Sequence, residues 1–175
     1  MMDTRRKAVF FDRDGVLNED DGYVHQMRKL RWVKGAREIV AALTKAGFLL
    51  FVVTNQSGVA RGYFTEETVR QLHREMNEEF QKWGGHITEF FYCPHLPGAP
   101  LPAYDQVCSC RKPAPGMILR ALDAYGIDKD RAVLFGDGKR DVEAAENAGI
   151  RGFLFSGGDI EAFVREKLAG HFTIG

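Results

Sequence analysis

Short apolar runs alternate with longer amphipathic stretches along the chain, and that rhythm admits few folds other than a parallel β-sheet covered by helices. Ala8–Phe11, Leu49–Val53, Phe90–Tyr92, Ala132–Phe135 and Gly152–Phe155 read as strands. Their β-branched and aromatic residues suit a pleated surface buried on both faces. Helical patterns lie between them at Ala36–Lys45, closed by Gly47, and at Thr65–Trp83, where Thr65 is a good N-cap and Glu66 and Glu67 sit in the electropositive first turn. In the second helix Val69, Leu72, Met76, Phe80 and Trp83 fall at three- and four-residue spacings, which predicts a packing face. Further helices are expected at Met117–Tyr125, at Asp141–Ala148 and from an Asp159 cap onward. Asn18–Lys34 and the proline-rich Cys93–Pro115 lack the rhythm, and irregular segments of that length are usually functional or pinned by metal.

A length of 175 residues with 45% hydrophobic composition supports one core, so residues 1–175 are expected to form a single domain. The 24 basic and 24 acidic side chains cancel. No basic field points to nucleic acid. No run of about 18 apolar residues offers a membrane span, and the first apolar run is too short for a signal-peptide core. The expectation is a cytoplasmic protein, monomeric, whose partner is a small molecule.

Ligands of an open parallel sheet sit at the carboxyl ends of the strands, where loops and helix N-termini converge. The first strand is followed by Asp12-Arg13-Asp14-Gly15-Val16, the second by Thr54-Asn55-Gln56-Ser57-Gly58 and the fourth by Gly136-Asp137-Gly138-Lys139-Arg140-Asp141. Arg111-Lys112-Pro113 adds two cations from the preceding loop. Each piece alone is an ordinary turn or cap. Their convergence on one sheet edge points to a reaction centre.

All three cysteines, Cys93, Cys108 and Cys110, fall in one stretch with His95. Two close pairs joined by a proline-rich loop supply three thiolates and an imidazole, a closed tetrahedral set for a structural Zn²⁺. The metal would brace residues 93–110 and so the turn presenting Arg111 and Lys112.

In this order the residues resemble the haloacid dehalogenase superfamily of phosphohydrolases. The motifs are Phe11-Asp12-Arg13-Asp14-Gly15-Val16, Thr54 closing the second strand, Lys112, and Asp137 with Asp141. The resemblance implies a Rossmann-like α/β sheet flanked by helices with no separate cap domain. It implies Asp12 as nucleophile forming an aspartyl-phosphate, and Asp14 as proton donor and acceptor. Mg²⁺ would be held by Asp12, the Asp14 backbone carbonyl and Asp137, with Asp141 just outside. Thr54 and Asn55 would donate to phosphoryl oxygens, and Lys112 would balance charge. Lys139 and Arg140 read more simply as solvated first-turn residues. Gly138 departs from the pattern, since relatives often carry Ser or Lys there.

Cys-x-His…Cys-x-Cys-Arg-Lys-Pro together with Thr-Asn-Gln-Ser-Gly narrows the resemblance to the heptose bisphosphate phosphatases and their relatives, the histidinol-phosphate phosphatases. The heptose branch implies that Arg111 and Lys112 hold the end carrying a second phosphate. Glu19, Asp20 and Asp21 would bind heptose hydroxyls or, in the other branch, an imidazolium-like group. A third possibility is a non-catalytic, zinc-braced domain that only binds phosphorylated ligands. Asp12 argues against it, because a carboxylate aimed at phosphate repels it.

Overall fold

Alternate residues of the buried strands divide between two cores, one on each face of a five-stranded, all-parallel sheet. The computed structural model describes residues 4–172. Its strands are β1 (Ala8–Phe11), β2 (Leu49–Asn55), β3 (Glu89–Cys93), β4 (Ala132–Gly136) and β5 (Arg151–Leu154), ordered β3-β2-β1-β4-β5. The helices are α1 (Ala36–Lys45), α2 (Glu66–Lys82), α3 (Gly116–Tyr125), α4 (Lys139–Ala148) and α5 (Ile160–Leu168). Val9, Phe11, Val52 and Phe135 pack against α1, α2 and α5 residues such as Ile39, Leu43, Met76, Phe80 and Val164. Ala8, Phe10, Phe51 and Leu134 pack against α3 and α4. Phe10 stacks on Phe51 and Phe11 on Phe135, at 5.1 and 5.9 Å between centroids. Each such buried ring contributes roughly 1.5–3 kcal/mol.

The helices form as their sequence signals require. The Thr65 hydroxyl accepts from Thr68 N–H at 3.2 Å, and Asp159 accepts from Ala162 N–H at 3.2 Å. Val69, Leu72, Met76 and Phe80 are buried, but Trp83 is the residue capping α2 and stays 43% exposed, with the Arg37 guanidinium over its ring. The stripe therefore ends one turn before the reading placed it. β2 runs two residues beyond the apolar run, because its ladder with β3 continues through Thr54↔Tyr92 and Asn55↔Cys93. The connection between β1 and α1 is anchored by Glu19 N–H donating to Arg31 O and Val33 N–H donating to Leu17 O. Among the described residues no helix is long and apolar enough to cross a membrane.

The chain leaves β1 in one direction toward β2 and β3, and returns on the other side through β4 and β5. A crevice opens where the order reverses. The three chemistry-bearing strand ends, those of β1, β2 and β4, flank it.

Candidate active site

β1 ends inside the sheet, where Asp12 N–H still donates to Phe135 O at 3.0 Å, so the Asp12 side chain emerges only 5% exposed. Lys112 reaches it from the loop before α3. The Lys112 ammonium is 3% exposed and donates to Asp12 Oδ1 at 2.9 Å, Val53 O at 2.8 Å and Asp141 Oδ1 at 2.5 Å. Burial disfavours the ammonium, but Asp12 and Asp141 outweigh it and hold Lys112 above the ordinary lysine range. Burial pushes the Asp12 carboxyl up to about 7 against the pull of Lys112, with Asp141 and Asp14 pushing the same way. Asp137 is also raised, chiefly by burial. Oxygens of Asp12, Asp137 and Asp141 lie within 4.8 Å of one another, a crowding of anionic donors that a hard cation would relieve.

Two glycines make this crowding possible. Gly15 has φ +86°, and a Cβ there would collide with the Asp137 carboxylate. A Cβ on Gly136 would collide with Asp141. Asp141 is in turn fixed at the start of α4, where its Oδ2 accepts from Gly138 N–H at 3.0 Å.

Asp14 is held by neighbours that the sequence reading left unassigned. Arg13, 0% exposed, donates from Nη2 to Asp14 Oδ1 at 2.9 Å and Oδ2 at 3.2 Å, and from Nε to Oδ1 at 3.3 Å. Asn18 Nδ2 donates to Oδ1 at 3.0 Å and Gln56 Nε2 to Oδ2 at 3.0 Å. Gln56 Nε2 also donates to Thr54 Oγ1 at 2.9 Å, which leaves the Thr54 hydroxyl proton free for an acceptor in the crevice.

The crevice is a cavity of about 380 Å³ that brings together Asp12, Asp14, Thr54, Lys112 and Asp137, with Arg111, Asn55 and Asp20 also on its walls. Three expectations need correction. Asn55 is not free to serve a phosphoryl group with its whole amide, because Nδ2 donates to Lys112 O and Oδ1 accepts from Lys112 N–H. Glu19 is not among the lining residues, and Asp21 is bound to Arg31 at 2.5 and 2.8 Å. Arg140 lines the cavity instead of lying wholly in solvent, whereas Lys139 is the exposed first-turn residue, paired with Glu143. Arg61 and Tyr23 also line it and escaped notice, because a lone Arg and a Tyr in loops carry no spacing signal.

On the flank of the crevice Cys93, His95, Cys108 and Cys110 converge. The sulfurs are 2.9 to 3.5 Å apart, and His95 Nδ1 lies 3.6 and 3.4 Å from Cys93 and Cys110. All four donors lie within 4.8 Å of one another. The Gln106 amide sits 2.7 Å from His95 Nε2 and fixes the ring with Nδ1 toward the sulfurs. Burial raises Cys93 and Cys110, whereas hydrogen bonds outweigh burial at Cys108 and bring it down to about 7. Beside the cluster, Arg111 donates to His95 O at 3.3 Å, so the loop and the cavity wall are one structure.

Known proteins resemble this chain in sequence and fold. The HAD-hydrolase-like family profile matches residues 109–171. The chain is 47% identical over 164 residues to the D-glycero-beta-D-manno-heptose-1,7-bisphosphate 7-phosphatase of Rhodopseudomonas palustris, covering 94% of this chain and 91% of that one. It is 45% identical to the protein of the same name from Vibrio cholerae, covering 83% and 78%. The crystal structure of D,D-heptose 1,7-bisphosphate phosphatase from B. bronchiseptica complexed with magnesium and phosphate superposes with a TM-score of 0.78, at 34% identity and 91% and 86% coverage. With identity of this order over nearly its whole length, the chain belongs to the D-glycero-beta-D-manno-heptose-1,7-bisphosphate 7-phosphatase family within the HAD-like hydrolases.

Proposed function

We propose that this chain is a Mg²⁺-dependent phosphatase that removes the C7 phosphate of D-glycero-D-manno-heptose 1,7-bisphosphate through an aspartyl-phosphate on Asp12, acting as a single domain. The observation that carries the substrate is the composition of the cavity wall. Arg61, Arg111 and Arg140 all line it, and none has a carboxylate partner among the described residues. Lys112, by contrast, is fully engaged with Asp12 and Asp141. Guanidiniums that lack a carboxylate partner, beyond the reaction centre, suit a second anionic group on the substrate. They repel the cationic end of histidinol phosphate, and of the three acids expected to meet it Asp20 is on the wall whereas Glu19 and Asp21 are not among the lining residues.

The donor set fits Mg²⁺, since Asp12, Asp137 and the Asp14 backbone carbonyl are hard oxygen ligands. When bound, the ion neutralises charge on the transferring phosphoryl group. Both Asp141 oxygens are already occupied, by Lys112 and Gly138, which supports its placement outside the shell. The thiolate and imidazole set fits Zn²⁺ as a brace of the loop.

The chain's own groups account for the two displacements. Asp12 attacks phosphorus as the bond from phosphorus to the sugar oxygen breaks, and Asp14 gives its proton to that oxygen. Water then attacks the aspartyl-phosphate, Asp14 takes a proton from it, and inorganic phosphate leaves. Oδ1 of Asp14 accepts from Arg13 and Asn18, so Oδ2, reached by Gln56 and a longer Arg13 contact, is the oxygen suited to carry the proton. Lys112 holds Asp12 in place, and Thr54 donates to a phosphoryl oxygen.

The test is phosphate release from sugar mono- and bisphosphates with Mg²⁺. Loss of the C7 phosphate with the C1 phosphate retained supports the assignment, and a higher kcat/KM for histidinol phosphate refutes it.

A further inference from the structure

Arg13 is a fully buried ion, so each nitrogen of its guanidinium needs a partner. Nε and Nη2 are satisfied by Asp14 and by Val24 O at 2.8 Å. Among the described residues Nη1 has one partner, His73 Nε2 at 3.2 Å. A guanidinium only donates, so this imidazole nitrogen accepts and the ring is neutral with its proton on Nδ1. His73 lies on α2, 4% exposed, stacked on Phe90 at 4.6 Å and edge-on to Tyr92 at 6.1 Å. Its other side borders a cavity of about 300 Å³ whose charged neighbours, Arg70 and Arg74, are cations from the same helix, with Asn77 beside them. Arg13 faces it from the β1 end. Burial first, and Arg13 second, hold its pKa well below the ordinary histidine value.

We propose that His73 is a positioning residue: through Arg13 it fixes the plane of the Asp14 carboxyl, and so the efficiency of both proton transfers. His73 touches neither substrate nor reacting atoms. Without its acceptor, Nη1 is left buried and unpaired, and the fork that grips both Asp14 oxygens can swing to find water or a carbonyl. Misplacement by about 1 Å is enough to slow a reaction 10²-fold. The inference rests on Asp14 being the acid and base proposed above.

The two roles of Asp14 give a signature that plain destabilisation lacks. An aryl phosphate with a good leaving group needs no acid to leave, whereas a sugar phosphate does. H73F, which keeps an aromatic ring but no acceptor, is expected to lower kcat on the sugar phosphate about tenfold or more with KM within about twofold. On p-nitrophenyl phosphate it should release a burst of nitrophenolate at the wild-type rate and then turn over slowly, because the water step still needs the base. D14N should show the same burst and stall, and H73Q, whose amide oxygen can replace Nε2, should recover turnover. If D14N turns over both substrates normally, the assignment of Asp14 is wrong. If D14N stalls and folded H73F does not, or if H73Q falls as far as H73F, the role of His73 is wrong. The unmodified protein gives a test that needs no variant: ¹⁵N NMR should show His73 neutral and protonated on Nδ1. A protonated Nε2 overturns the proposal.

Discussion

Both halves of the Asn55 amide hold the backbone of Lys112, with Oδ1 accepting from its N–H at 3.0 Å and Nδ2 donating to its carbonyl at 3.2 Å. A strand end thereby fixes the residue that brings the ammonium to Asp12. Asn55→Ala should lower kcat by about 10²-fold, since a displaced Lys112 leaves Asp12 unoriented. It should also destabilise the fold by roughly 1–3 kcal/mol through the unpaired backbone groups. Steady-state kinetics alongside thermal melts check it, and a folded variant with wild-type kcat would refute the clamp.

Asp12→Asn is nearly isosteric and keeps a partner for Lys112, so the fold should survive. Turnover should drop by on the order of 10⁴-fold or more, as when another covalent enzyme loses its nucleophile. Wild-type protein should be trapped by beryllium fluoride with Mg²⁺, and the variant should not. Retained turnover in the purified variant would end the covalent mechanism.

Gly15→Ala sets a methyl group against the Asp137 carboxylate at a φ of +86°. Left-handed backbone alone costs roughly 1–2 kcal/mol for a residue with a Cβ. The larger effect should be on the ion, because Asp137 must move. The Mg²⁺ concentration for half-maximal activity should rise about tenfold or more, read from an activity titration.

The cysteine cluster should carry one zinc per chain, measured by elemental analysis. Gln106→Ala removes the group 2.7 Å from His95 Nε2 and should weaken zinc binding about 10–100-fold in chelator competition. Stripping the metal should lower the melting temperature and raise KM together, because Arg111 is bonded to His95 O. A zinc-free protein with unchanged KM would separate the loop from the site.

Folding keeps His73 neutral although an unfolded chain would titrate near 6.5. Below that pH the unfolded state binds a proton that the folded state refuses, so stability should fall as pH drops, by up to about 1.4 kcal/mol per pH unit. H73Q should remove that part of the slope between pH 6.5 and 5 in urea melts. An unchanged slope would show that His73 takes up its proton in the folded state.

The strands and helices were legible because their signals are local: apolar runs, the Thr65 and Asp159 caps, glycine stops. Boundaries failed where tertiary pairing decided them, as at Thr54 and Asn55, which look polar and terminal but extend a ladder with Tyr92 and Cys93. Asp12, Asp14, Thr54, Lys112 and Asp137 were legible because strand ends share an edge, and the cavity does gather them. Arg13 carries no signal of its own in the sequence, where it stands only as the residue between two aspartates. Its position two residues beyond a wholly apolar strand is the available clue. His73 sits one residue from Leu72 on the buried stripe of α2, so periodicity places it inside, but nothing local names its partner 60 positions away. Arg61 and Arg140 reach the wall through loop and helix placement that a single sequence does not encode in any spacing.

Lys112 touches the ends of three separate elements with one ammonium: Val53 in β2, Asp12 after β1 and Asp141 in α4. Those elements belong to both halves of the sheet, so Asp12 is held only while the halves are docked on each other. Local opening at either side of the switch point would silence the enzyme before it unfolds. Catalytic competence is thus a stricter report of native register than spectroscopic structure content, and activity should vanish at milder denaturant than helicity.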